Sequence, residues 1–436
     1  MIQVKLPFFV KEICRRLKSS GYEAYIVGGT IRDLIIDRDN SDFDIATNAL
    51  PNEIASVFPK ARPYGAFGTM FLMVEGTKVE ITPFRDDAPG RKPDYKFGGT
   101  IYTDLARRDF TINSIAYDPD ECKLIDPFNG CEDLNNGIIR CTGSLQRIWE
   151  DPLRAIRAPR FQAQLGFYIE SSTLYALKAH THELKSISSE RIRDELVKLL
   201  IGDFCFDGLV TLVLTDLMEH IIPELVEGIG IMHFNKPMDV LEHNLIACKT
   251  TKKTLPLRLA ALLHDVAKPR TAVSGEKGLV FPNHHIESAK LAQNILQRLR
   301  FDKKIIKKVV SLIGNHMFYY SPNSPLYDAR KLVSKVGWDN IYDLIELRVA
   351  DRIASGFTTA YGPGLIKLMS DLQILKDENM DYKIKDLAVT GQDIIDKFGF
   401  TPGPRVGRVL EKLLELVIVN PKLNNKEKLL DLAKNI

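Results

Sequence analysis

Two carboxylates one residue apart, Asp42 and Asp44 in Ser41-Asp-Phe-Asp-Ile45, carry the clearest chemical signal in this chain. Side chains alternate faces along a strand, so Asp42 and Asp44 share one face while Phe43 and Ile45 take the other. Two acidic oxygen donors at that spacing suit a hard divalent cation such as Mg²⁺, which keeps waters and substrate phosphates among its ligands. Upstream, Ala24-Tyr-Ile-Val27 reads as a strand feeding Gly28-Gly29, and Ile31-Arg-Asp-Leu-Ile-Ile36 reads as the helix that follows. Backbone N–H groups at a helix start attract phosphate, and glycine lets a triphosphate approach closely because it has no Cβ. An exposed acidic turn beside a glycine hairpin would explain Asp-Phe-Asp alone, but it leaves the nearby glycines unexplained. Glu80, in Lys78-Val-Glu-Ile-Thr-Pro-Phe84, is a candidate third carboxylate from a neighbouring strand, because it faces away from Val79 and Ile81. A solvated strand face accounts for Glu80 equally well.

These residues need a scaffold, and the chain supplies two textures. Residues 1–140 mix short alternating strands with helices, which predicts an α/β head. From about residue 145 the periodicity becomes helical. Ser189-Glu-Arg-Ile-Arg-Asp-Glu-Leu-Val-Lys-Leu-Leu200, for instance, puts Ile192, Leu196, Leu199 and Leu200 on one face. Breaks are expected at Gly202-Asp-Phe204, Pro223, Phe234-Asn-Lys-Pro237, Ser321 to Pro325, Gly362-Pro-Gly364 and Thr401-Pro-Gly-Pro404. At 436 residues the chain exceeds one comfortable core and suggests three or four modules.

The formal charge is only +3, so a polyanion must be met by local basic patches rather than by a global field. Arg147 to Arg160 is one such patch, with four arginines; Arg298 to Lys308 is another, or else a solvated helix face. The six cysteines form no Cys-x-x-Cys, which fits a reduced, cytoplasmic protein. Charges near the start leave no signal-peptide core, and no apolar run is long enough to span a membrane.

Five blocks now occur in order: Gly28-Gly-Thr30, Asp42-Phe-Asp44, Arg107-Arg-Asp-Phe-Thr-Ile-Asn113, Asp126-Pro-Phe-Asn-Gly-Cys-Glu-Asp-Leu134 and Glu150-Asp-Pro-Leu-Arg-Ala-Ile-Arg-Ala-Pro-Arg-Phe161. This series resembles the motifs of the class II tRNA nucleotidyltransferases (CCA-adding enzymes) and the related bacterial poly(A) polymerases, strongly over residues 20–201 and more loosely over 220–436. The resemblance implies a multidomain α/β plus all-α protein. A nucleotidyltransferase palm of mixed sheet and helices would span 1–140. A helical neck for base recognition and RNA binding would span 141–201, a helical body with an HD metal domain 202–375, and a helical tail for the tRNA elbow 376–436. Its implied substrates are tRNA, CTP and ATP, with two Mg²⁺ ions at Asp42 and Asp44 and with Glu80 beside them. By the same resemblance, Gly28, Gly29, Arg32, Arg108, Asp109, Asn113, Asp151, Arg154, Arg157 and Arg160 bind nucleotide.

Base choice without a template falls to Asp151 and Arg154, which match the family's Glu-Asp-x-x-Arg pattern. On one helix they would be i and i+3 and project from the same side. An aspartate accepts from an exocyclic amine while an arginine donates to the adjacent ring nitrogen. Cytosine and adenine both present that pattern; uracil and guanine present the reverse. An intrahelical Asp–Arg salt bridge is the alternative reading.

A second constellation, His243, His264-Asp265, His284, His316 and Asp351, resembles the ligand series of HD-domain metal phosphohydrolases. Imidazole and carboxylate ligands suit one or two divalent transition-metal ions. Other readings of the chain stay open at this level. They are an enzyme adding only CC or only A, a poly(A) polymerase, a phosphohydrolase with a decayed transferase head, and a tRNA-binding protein without catalysis. The partial-enzyme reading draws on the segment Arg85 to Phe97, which is shorter than the family's usual flexible loop and lacks its Tyr-x-Asp.

Overall fold

The computed structural model describes residues 5–39, 42–65, 68–87, 95–232, 238–276, 278–378 and 380–436. The chain forms two compact units, residues 1–223 and 224–436.

The first unit is built on a seven-stranded mixed sheet. Its strands are β1 (Ala24–Val27), β2 (Asp42–Thr47), β3 (Arg62–Tyr64), β4 (Thr69–Val74), β5 (Thr77–Pro83), β8 (Ala116–Asp118) and β9 (Lys123–Ile125), in the order β3-β4-β5-β2-β1-β8-β9. A separate hairpin pairs β6 (Arg85–Asp87) with β7 (Tyr95–Phe97). Within the Arg85 to Phe97 segment singled out above, residues 88–94 lie outside the described residues. Within this sheet, among the described residues, only β2 and β5 pair in parallel, and their register sets Asp42 against Lys78 and Asp44 against Glu80. The alternation expected of β2 is present: Phe43 and Ile45 are buried, and so are Val79 and Ile81 beside them. That apolar face anchors the sheet in the core and turns the carboxylates the other way.

Between β1 and β2 lies α1 (Gly28–Ile35), which begins at the glycines themselves rather than at Ile31. Thr30 ties its first turn to the acidic strand. The Asp44 N–H donates to Thr30 Oγ1 at 2.8 Å, and that hydroxyl donates to the Asp42 carbonyl at 3.2 Å.

The helices that complete the unit include α2 (Ile101–Ala106), α3 (Arg147–Glu150), α4 (Leu153–Leu165), α5 (Ser189–Leu200) and α6 (Cys205–Leu214). The bounds of α5 and its four buried aliphatic positions agree with the periodicity. A short parallel pair, Ile138–Ile139 with Tyr168–Ile169, interrupts the helical texture and was not foreseen. α6 packs so tightly on α4 that a Cβ on Gly208 would lie 2.6 Å from the Pro159 carbonyl oxygen. This packing keeps residues 202–223 with the first unit, whereas the sequence reading starts the body at 202.

Among the described residues, the regular structure of the second unit is helical apart from the hairpin Val273–Gly275/Gly278–Val280. Its central helices are α7 (Val240–Thr250), α8 (Leu255–Leu263), α9 (His284–Arg298), α10 (Lys303–Asn315) and α11 (Trp338–Ala354). Later helices start at Pro363 and Pro404, where proline suits the first turn because its missing N–H would have no intrahelical partner. The break expected at Phe234 to Pro237 lies outside the described residues. Among the described residues, no helix is long and apolar enough to cross a membrane.

Candidate nucleotide site and histidine cluster

One cavity of about 620 Å³ in the first unit gathers the predicted transferase residues. Gly28, Gly29, Arg32, Asp42, Asp44, Arg108, Asp109, Asn113, Asp151, Arg154, Arg157 and Arg160 all line it. Glu80 does not. It lies beside Asp44 across the β2–β5 pairing and accepts a hydrogen bond from Lys78 Nζ at 2.5 Å.

Burial, the Glu80 charge and the Asp42 charge raise the Asp44 carboxyl to about 6, against the opposing pull of Arg108 and Arg32. Carboxylates so placed are short of positive charge, and their hard oxygen donors fit Mg²⁺. Gly28 makes the close approach possible. It sits at φ +66°, and a Cβ there would lie 2.7 Å from Arg108 Nη1 and 3.5 Å from Asp44 Oδ2.

The arginines are held by a relay of polar contacts. Arg32 Nη1 donates to Asn113 Oδ1 at 2.8 Å, and Asn113 Nδ2 donates to Asp109 Oδ1 at 2.9 Å. Asp109 Oδ2 pairs with Arg157 Nε at 2.7 Å. Burial alone would raise the Asp109 carboxyl, but Arg157, Asn113 and Arg154 together bring it down to about 2. Asp109 and Asn113 therefore line the cavity with one oxygen each on an arginine and their remaining side-chain polar atoms on each other and on the Phe110 N–H. Asp104, buried beneath, grips Arg107 at 2.6 Å and Arg108 at 3.0 Å. Arg160 pairs with buried Glu195 at 2.9 Å and lies 3.5 Å over the Phe161 ring; Arg32 and Arg157 lie 5.1 and 5.6 Å from that ring.

Asp151 and Arg154 do face one cavity, but not from one helix. Asp151 is extended (φ −131°, ψ 101°) between α3 and α4, because the residue before a proline is driven out of the α region. The intrahelical salt bridge is correspondingly missing. Asp151 pairs with Arg191 at 2.8 Å, and Arg154 donates to the carbonyls of Arg147 at 2.8 Å and Arg107 at 2.9 Å.

Sequence reasoning overlooked Asp104, Arg107, Arg191, Glu195 and Lys198. A signal existed for some of them. Asp104 precedes Arg107 and Arg108 by three and four residues, and Arg191, Glu195 and Lys198 form an i, i+4, i+7 stripe on α5.

In the second unit all six His/Asp candidates converge. His243 Nε2 lies 3.1 Å from His264 Nε2, 3.4 Å from Asp265 Oδ2 and 3.3 Å from Asp351 Oδ1. The other Asp265 oxygen faces His284 Nε2 at 3.3 Å and His316 Nε2 at 3.7 Å. The Nδ1–H groups of His264, His284 and His316 donate to the carbonyls of Ala261, Phe281 and Ile313 at 2.8, 2.8 and 2.7 Å. Each ring is thereby fixed with Nε2 aimed inward, as a metal ligand requires. Two nitrogens each bound at about 2.05 Å to a tetrahedral ion would be about 3.3 Å apart, close to the His243–His264 separation. Burial and His264 push His316 down to about 3, which keeps its ring neutral. Lys268 Nζ donates to Asp265, which His264 and Lys268 hold well below the usual carboxylate range despite its burial.

A mixed sheet bearing an acidic pair, with an arginine-walled cavity and helices behind it, defines a nucleotidyltransferase head. The Poly A polymerase head domain family matches residues 24–140, the probable RNA and SrmB-binding site of polymerase A matches 166–228, and tRNA nucleotidyltransferase domain 2 matches 280–433. The CCA-adding enzyme of Bacillus cytotoxicus is 32% identical over 426 residues, 95% of each chain, and that of Bacillus cereus strain ATCC 10987 is 30% identical over the same span. The chain belongs to the CCA-adding enzyme family and is a nucleotidyltransferase. Its fold is similar to the Bacillus stearothermophilus CCA-adding enzyme crystallised with CTP, with a TM-score of 0.75, 28% identity and coverage of 99% of this chain and 98% of that one. The Thermotoga maritima CCA-adding enzyme complexed with tRNA shares the fold at a TM-score of 0.56 and 21% identity, over 100% of this chain and 97% of that one. The family is one of metal-dependent nucleotidyltransferases.

Replacing Gly28 with alanine should weaken binding of a magnesium nucleoside triphosphate by about tenfold or more. The left-handed backbone adds about 1–2 kcal/mol of strain, and Arg108 must move. Calorimetric titration checks this, with circular dichroism expected to match the wild type.

Proposed function

We propose that this enzyme builds or repairs the 3′-terminal CCA of tRNA from CTP and ATP, reading each base with its own side chains. The observation that carries the reading is a single cavity holding Asp42 and Asp44, the arginine cluster and the Asp151/Arg154 pair. Two Mg²⁺ ions held by Asp42 and Asp44 would activate the attacking 3′-hydroxyl and neutralise the departing pyrophosphate. Glu80 adds negative charge behind them. Gly28 and Gly29 leave room for the triphosphate, and Arg32, Arg108, Arg157 and Arg160 supply fixed positive charge. The 3′-oxygen bonds to the α-phosphorus, the bond to pyrophosphate breaks and the hydroxyl proton passes to solvent water. Little covalent work remains for side chains, so positioning dominates.

Asp151 accepts from the amine of cytosine or adenine while Arg154 donates to the neighbouring ring nitrogen. Arg154 is held for this by the two carbonyls behind it and Asp151 by Arg191. The palm would occupy 1–140 and the neck continue from 141 to 223, followed by a body and, over 376–436, a tail for the tRNA elbow. Such work belongs in the cytoplasm.

Truncated tRNAs lacking one, two or three terminal nucleotides, given CTP and ATP separately and together, test the proposal. Full-length CCA ends are expected only with both nucleotides, and Asp44→Asn should abolish them. Products that stop at CC, or only A additions, would make it a partial enzyme; long adenosine tails would make it a poly(A) polymerase.

Arg154→Ala should relax base choice before it destroys transfer, since the carboxylates and phosphate clamps remain. One unmatched buried polar group costs about 1–3 kcal/mol, so the preference for CTP and ATP over UTP and GTP should fall by roughly one to two orders of magnitude. Single-nucleotide addition with all four triphosphates measures the ratios, and unchanged ratios would count against base reading.

The inward-facing His/Asp cluster favours a second site, one that holds one or two transition-metal ions and hydrolyses phosphate esters. His264→Ala should lower the metal content of the full-length protein, read by mass spectrometry, while nucleotide addition persists. Equal metal content in variant and wild type would argue against the site.

A further inference from the structure

The cavity of the first unit is lined by six arginines and one lysine. Every arginine is tied down. Arg32 pairs with Asp33, Arg107 and Arg108 with Asp104, Arg157 with Asp109 and Arg160 with Glu195, while Arg154 is held by two backbone carbonyls. Lys198 is different: among the described residues no hydrogen bond or ion pair engages its ammonium group, and it is exposed. Its mounting is nonetheless rigid, because Leu196, Leu199 and Leu200 around it are fully buried. The stripe it shares has Arg191 and Glu195 occupied with Asp151 and Arg160 respectively, which docks α5 along the cavity wall. Lys198 follows Glu195 by three residues. It therefore lies about one turn beyond the residue that holds Arg160 and about two turns beyond Arg191, which meets Asp151.

An ammonium mounted on a packed helix, lining the same cavity as the anchored guanidinium groups and uncommitted to any acceptor among the described residues, is placed to take a phosphate oxygen as a point-charge ligand. We propose that Lys198 binds a phosphate group of the reacting complex and so acts as a further positioning residue for nucleotide transfer. The phosphate belongs either to the nucleoside triphosphate or to the backbone of the tRNA acceptor end. The inference rests on the transferase reading given above.

Full-length wild type, Lys198→Ala, Lys198→Glu and Lys198→Arg are compared by steady-state addition of one cytidine to a truncated tRNA. KM for CTP is taken at saturating tRNA and KM for tRNA at saturating CTP. Lys198→Ala should raise one of these KM values about tenfold, Lys198→Glu should raise it further, and Lys198→Arg should restore most of the affinity. A rise confined to CTP assigns the contact to the triphosphate. A rise confined to tRNA, with the slope of log affinity against log salt reduced by about 0.7, assigns it to single-stranded RNA backbone. A merely structural role would not be rescued by arginine and would show as a lowered melting temperature. If the alanine and glutamate variants keep both KM values within about twofold of an active wild type, the inference is overturned and Lys198 is a solvated lysine. A wild type without any transfer activity would instead overturn the transferase reading, and this inference with it.

Discussion

Negative charge crowded onto one sheet face is the constraint around which the first unit is organised. The parallel β2–β5 pairing aligns Asp44 with Glu80, and Asp42 lies two residues away on the same face. Like charges this close are tolerable only where cations answer them, and Arg108 and Arg32 do so in part. The arginines in turn need anchoring, because a loose guanidinium would collapse onto the carboxylates and block the space a metal-bound substrate needs. Asp33, Asp104, Asp109 and Glu195 provide that anchorage from behind, so each arginine is pre-set rather than free to swing. Even the glycine turn follows from the same constraint, since any Cβ at position 28 would displace the Arg108 guanidinium.

The second unit meets a related problem with different chemistry. Five titratable groups are buried together with Asp351 at their edge, and the energetic cost is limited because burial pushes His264 and His316 down and three imidazoles find a carbonyl for Nδ1. What remains is a set of lone pairs turned inward around Asp265. Soft and borderline ions favour such nitrogen-rich sites, whereas the all-oxygen pair Asp42/Asp44 favours Mg²⁺. On the proposed reading, the two units would separate their metal preferences by ligand type.

Short-range features of this architecture were legible in the sequence. Period-two alternation identified the faces of Asp42 and Asp44, and the spacing of Ile192, Leu196 and Leu199 identified α5 to its ends. The order of His243, His264, Asp265, His284, His316 and Asp351 was enough to group them before any distance was known. The longer-range anchoring contacts were not legible in the same way, because they join residues far apart in sequence: Arg32 meets Asn113 across 81 positions and Arg160 meets Glu195 across 35. No periodicity encodes such pairs. The error at Asp151 has a different origin. The spacing placed Asp151 and Arg154 on one helix, but the steric effect of Pro152 drives the residue before it out of the helical region.

The claim that most needs testing is that the acidic pair is a metal site completed by nucleotide. Crystals of the full-length protein grown with MnCl₂ and CTP, measured at the manganese absorption edge, address it directly. Anomalous density is expected within about 2.2 Å of carboxylate oxygens of Asp42 and Asp44, with the CTP phosphates against the same ions. Manganese bound only elsewhere, or CTP seated in the cavity with both carboxylates free of metal, would contradict the account.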